Sequence, residues 1–297
     1  MKTIPLTLDA LDSTEYIINS FIMFIGKKFT EAGFLLPDED VPQIKFNHAE
    51  VRCYDPASGI HDFDAVRNYG YIEALGAYFP CDEHPSQRRF ELFANNIMEV
   101  AAVYTFSKTS IRYTDPAFKP IFEMHFSEIT ALVLCHELAH WFVHRCSDGS
   151  GMPLEKMHYQ RNDEVFYHEG LAQALVFEGL KEFDSLIELM VWMEGGQPQQ
   201  YIAYKRLGND CTTLLKALSM VHKTGIQSFE LLEHAVHMYE KDAHPHKEDI
   251  FKKFLSQPIT AEFQKESIED VYLHLLVAHP HLADTYRGTY HALKFNV

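Results

Sequence analysis

Ile129-Thr-Ala-Leu-Val-Leu-Cys-His-Glu-Leu-Ala-His-Trp-Phe-Val143 is a largely apolar run that carries His136, Glu137 and His140. On a helix, residues four apart lie one above the other, so both imidazoles leave the same face. That spacing suits two ligands of one zinc ion, with Glu137 beside the place of a metal-bound water. Two imidazoles and a carboxylate are costly to desolvate in a buried helix unless something satisfies them, and a cation with its water does so. The chain holds 18 histidines among 297 residues, and such a composition yields H-E-x-x-H by accident about one time in ten. The apolar setting and a third ligand therefore have to carry the assignment.

Three residues compete for the third position. His144 follows His140 by four residues, but three ligands in a row on one straight helix spread along about 12 Å of its axis and cannot reach one ion. Glu169 lies in Phe166-Tyr-His-Glu-Gly-Leu-Ala-Gln-Ala-Leu-Val-Phe177, which reads as a second helix. Asn162 or Asp163 can cap its start, and Glu164 favours its first turn. Val165, Glu169, Ala172 and Val176 share one stripe at helical spacing, so Glu169 points where the apolar residues point. Its small neighbours Gly170 and Ala172 suit close helix approach. His168 projects about 100° away from Glu169, and Glu169 is the preferred ligand.

His136-Glu137-x-x-His140 followed by Glu169-Gly-Leu-Ala172 resembles the gluzincin group of zinc metallopeptidases, over residues 136–174. The resemblance implies a zincin-like α+β fold, predominantly helical, with a small N-terminal sheet over the metal-binding helix and a helical C-terminal lobe. It implies Zn2+ held by His136, His140 and Glu169, with Glu137 as general base in the hydrolysis of a peptide or protein substrate. Two features depart from the group. The interval from His140 to Glu169 is long, with Gly149, Gly151 and Pro153 marking a loop within it. Gln173 stands where some relatives place an acidic residue that orients a ligand histidine, so such support is expected from elsewhere, with Asp163 and Glu164 as candidates. The group also uses a Tyr or His to stabilise the oxyanion; Tyr201, Tyr204, His234, His237 and Tyr239 are candidates of the right type.

Composition bounds the rest. Twenty-six basic against 42 acidic residues leave a formal charge of −16, which argues against nucleic acid or an anionic membrane as a partner. Cysteines 53, 81, 135, 146 and 211 form no C-x-x-C pair and no disulfide framework. Cys135 reads as a small buried thiol. The first 15 residues place acids ahead of the apolar run, the reverse of a signal peptide. Residues 16–25 are too few to cross a bilayer. A cytoplasmic location is the expectation.

Residues 12–33 read as a helix ended by Gly33. Strand-like runs follow at 43–46, 50–54, 71–79 and 110–113, interrupted by a helix over 86–104. The motif helix is expected over 120–144. Further helices are expected at 164–180, 182–194, 199–222, 227–241, 246–255, 259–277 and 280–292, with Gly195-Gly196, Gly225 and Pro245 between several of them. This divides the chain into an N-terminal α+β lobe, 1–145, carrying the sheet and the motif helix, and a helical lobe, 146–297, carrying the third ligand. His244-Pro-His246 reads as a polar turn. Two other readings compete: a catalytically silent scaffold of the same fold that binds a partner, and a di-iron helical protein using Glu137-x-x-His140 with Glu155-x-x-His158.

Overall fold

The computed structural model describes residues 9–39, 41–47, 75–80, 87–112, 114–147, 162–197, 199–208, 210–222 and 227–240. The expected strand at 50–54, the helices beyond 241, Glu155, His158 and His244–His246 lie outside the described residues.

At the centre is α3, Phe118–Arg145, which contains the motif. From Ile129 to His144 every one of its side chains is buried, as a helix apolar on all sides requires. It is surrounded by α1 (Asp9–Glu31), α2 (Ala94–Thr109), α4 (Asn162–Leu180) and α5 (Asp184–Met193). A short α6 (Gln199–Ile202), a 3-10 turn, α7 (Cys211–His222) and α8 (Phe229–Glu240) complete the described helices. One apolar cluster runs through all the longer helices, from Ile17 and Phe21 of α1 to Leu232 and Val236 of α8.

The helix ends follow local chemistry. Gly33, at φ 87°, closes α1 with paired bonds from Gly33 N–H to the Thr30 carbonyl and from Phe34 N–H to the Phe29 carbonyl, each 3.0 Å. Ser110 takes the left-handed conformation, φ 56°, at the end of α2, so the strand expected at 110–113 is absent over the described residues 110–112. The helix expected over 199–222 is broken: Gly208, at φ 73°, interrupts it. Asp210 then caps α7 through the Thr212 and Thr213 amides, at 3.2 and 3.0 Å.

Three strands form a small sheet in the order β1-β3-β2: β1 is Gln43–Asn47, β2 is Gly76–Phe79 and β3 is Arg89–Phe93. β3 runs parallel to β1 and antiparallel to β2. β3 replaces the first part of the helix expected over 86–104. Its period is two, not 3.6: Phe90 and Leu92 are fully buried, while Arg89 and Glu91 pair at 2.5 Å on the other face. β2 is shorter than the expected 71–79, of which 71–74 lie outside the described residues. β2 and β3 lie against α3. The described chain is thus predominantly helical with a small sheet on the motif helix. None of its described helices is long and apolar enough to cross a membrane.

Candidate metal centre

α3 presents His136 and His140 one turn apart, and α4 packs on α3 to bring Glu169 opposite them. His136 Nε2 lies 3.0 Å from Glu169 Oε2, His140 Nε2 lies 3.5 Å from the same oxygen, and the two Nε2 atoms are 3.1 Å apart. Four tetrahedral donors about 2.1 Å from an ion stand about 3.4 Å from one another. The triangle of donor atoms has the size such an ion requires.

The protonation chemistry points the same way. His136 Nδ1 lies 2.8 Å from Gln173 Oε1. With the amide oxygen as acceptor, that nitrogen carries the hydrogen and the Nε2 lone pair faces Glu169 and His140. A lone pair facing a carboxylate at 3.0 Å is repulsive unless a proton or a cation sits between them. Burial pushes the Glu169 carboxyl up, but the charges and hydrogen bonds of His140 and His136 outweigh it and hold the group well below the usual carboxylate range. Burial pushes His136 down, and Glu169, Glu137 and Gln173 outweigh it, so the imidazole is raised. The group can hold a metal ion.

Glu137 is 7 % exposed and stands outside the donor triangle. Burial raises its pKa above the ordinary carboxylate value, against the opposing charges of His136 and His140, and it accepts a backbone hydrogen bond from Tyr78 of β2.

The four residues expected at the centre, His136, Glu137, His140 and Glu169, are therefore brought together. His144 lies outside the donor group, and its Nδ1 bonds the Tyr78 hydroxyl at 3.0 Å. His168 is buried on α4 and does not join the donor group. Gly170 makes its close approach to Phe229 of α8, since a Cβ there would lie 2.7 Å from Phe229 Cε2. Gln173 itself bonds His136, contrary to the expectation that such support lies elsewhere. The signal was available, because Gln173 sits one turn beyond Glu169 on the same helix face. Among the oxyanion candidates, Tyr201 of α6 lies beside the site, its ring centroid 5.6 Å from that of His136. Tyr204 is committed elsewhere, its hydroxyl donating to Glu194 at 2.6 Å.

Comparison with protein-family models, with curated proteins and with solved structures gives no match for this chain.

Proposed function

We propose that the chain is a zinc-dependent peptidase of gluzincin type, with a zincin-like fold. The reading is carried by one observation: two histidines of one buried helix and a glutamate of the next converge at tetrahedral spacing, with a second buried glutamate, Glu137, next to His136 in the same helix. Two imidazoles with one carboxylate suit zinc or iron better than magnesium or calcium, which favour all-oxygen sites. Bound zinc supplies a water acidified towards neutrality and a Lewis acid for the carbonyl oxygen. Glu137 takes the proton of the attacking water and delivers it to the leaving amine. Tyr201, whose ring lies 5.6 Å from that of His136, is the candidate to donate a hydrogen bond to the oxygen that becomes negative.

β2 supports a peptide as substrate. It is the edge strand of the described sheet on the side of Glu137. The Leu75 carbonyl bonds Phe93 N–H at 2.9 Å, so alternation turns the backbone groups of Gly76 away from β3. An extended chain can add to such an edge by main-chain hydrogen bonds.

The test is elemental analysis of the purified protein, followed by digestion of a mixed peptide library. One zinc per chain, hydrolysis stopped by a chelator and restored by zinc, and loss of turnover in Glu137→Gln at full zinc content are expected. Zinc without hydrolysis makes the chain a binding scaffold. Iron in its place makes it a two-histidine, one-carboxylate iron protein.

A further inference from the structure

We propose that β2 is a clamp that positions the Glu137 carboxylate, with Gly76 and Tyr78 as its positioning residues; the inference rests on the peptidase reading of the centre. Val133, Glu137 and His144 are spaced by four and seven residues, so they mark one stripe of α3. β2 lies along that stripe and touches it at each of the three residues.

The first contact is Gly76. A Cβ at this position would stand 2.7 Å from Val133 Cγ1, 3.3 Å from Glu137 Oε1 and 3.4 Å from Glu137 Cγ. The first distance is too short for any side chain, and Val133 is 7 % exposed and hemmed in by the core. Only glycine lets the strand descend this far onto the helix. The second contact is the Tyr78 amide, which donates to the Glu137 carboxylate. The third is the Tyr78 side chain, whose hydroxyl bonds His144 Nδ1 at 3.0 Å and whose ring centroid lies 5.8 Å from that imidazole. Tyr78 and His144 are 7 % and 3 % exposed, so this bond is shielded from competing water.

A glutamate has three side-chain torsions, and a general base must be held within hydrogen-bond reach of the proton it takes. Close approach at Gly76 sets the height of the strand above Glu137. The bond between Tyr78 and His144 sets its position along the helix. Together they hold the Tyr78 N–H against the Glu137 carboxylate. His144 thereby has a use in the site although it lies outside the donor group.

The experiment uses the full chain, loaded with zinc and labelled with 15N-tyrosine, in which Tyr78→Phe identifies the Tyr78 amide signal. Glu137→Gln replaces a charged acceptor by a weaker neutral one, so it should shift the Tyr78 amide more than any other tyrosine amide. Gly76→Ala should lift the strand, shift the same signal and lower kcat about tenfold or more at full zinc content. Adding Val133→Ala to Gly76→Ala removes the worst clash and should recover most of kcat. A Tyr78 amide indifferent to Glu137→Gln, or wild-type kcat in Gly76→Ala, overturns the clamp. Absence of any peptide hydrolysis by the zinc-loaded wild type overturns the peptidase reading instead, and the amide signal still decides whether β2 holds Glu137.

Discussion

Gln173 Oε1 and His136 Nδ1 lie 2.8 Å apart, which joins the two helices of the metal centre through a neutral amide where a carboxylate would serve as well. The bond sets the tautomer of His136 and turns its Nε2 towards His140 and Glu169. Gln173 is 4 % exposed, so its amide has little access to water as an alternative partner.

Gln173→Leu should therefore weaken zinc binding by about 10–100-fold, the usual cost of losing a partner that orients a ligand histidine. Gln173→Glu should hold zinc at least as tightly, because a carboxylate makes the imidazole more basic. Competition against a chromophoric chelator measures both. Equal affinity in Gln173→Leu and the wild type would show that packing alone orients the ring.

The dependence on pH follows from the two shifted ligands. In the metal-free protein His136 is raised above 6.5, so its contribution to stability is complete below that value and is lost as pH rises through the raised one. Glu169 is lowered from 4.5, so its contribution is present above that value and is lost as pH falls through the lowered one. Metal must displace the His136 proton. The rise in Tm on adding zinc should accordingly be larger at pH 8 than at pH 5.5. Thermal melts with and without zinc at the two pH values test this, and a larger rise at pH 5.5 would contradict it.

Gly179→Ala should destabilise the protein although alanine favours a helix over glycine by about 1 kcal/mol. A Cβ at Gly179 would lie 2.5 and 2.6 Å from ring carbons of Phe21, which is fully buried and has nowhere to swing. Overpacking of this kind costs about 1–3 kcal/mol and outweighs the gain in propensity. Urea unfolding gives the answer, and a variant as stable as the parent would mean that α1 and α4 separate easily.

Cys135, Cys146 and Cys211 are buried and form no disulfide among the described residues. Burial pushes all three thiols up, those of Cys146 and Cys211 to about 12. A thiol-specific reagent at pH 8 should leave these three unmodified in the folded protein and modify them after unfolding, as peptide mapping by mass will show. Labelling of Cys135 in the native state would place the motif helix nearer the surface than it lies here.

The grouping of His136, His140 and Glu169 was legible in the sequence because its logic is local. His136, Glu137 and His140 fall within five residues, where helical periodicity alone dictates which side chains share a face. Glu169 follows from the same rule applied to α4. The end of α1 at Gly33 was legible for a similar reason, since only the backbone freedom of glycine is needed there. β3 was misread because Phe90 and Leu92, two apart, are compatible with either period in a run of five residues, and packing on α3 decides between them. The helix expected over 199–222 failed because its apolar pattern continues through Gly208, whose positive φ is a demand of the chain path.

What the sequence by itself determined is the set of donors and the faces from which they project. Only the tertiary structure decided that Gln173 rather than an acid steadies His136, that His144 bonds Tyr78, and that Gly76 brings an edge strand onto Glu137. Each of these joins residues 30 or more positions apart in the chain. Periodicity says which way a side chain points along its own element, and only the packing of one element on another says what it meets.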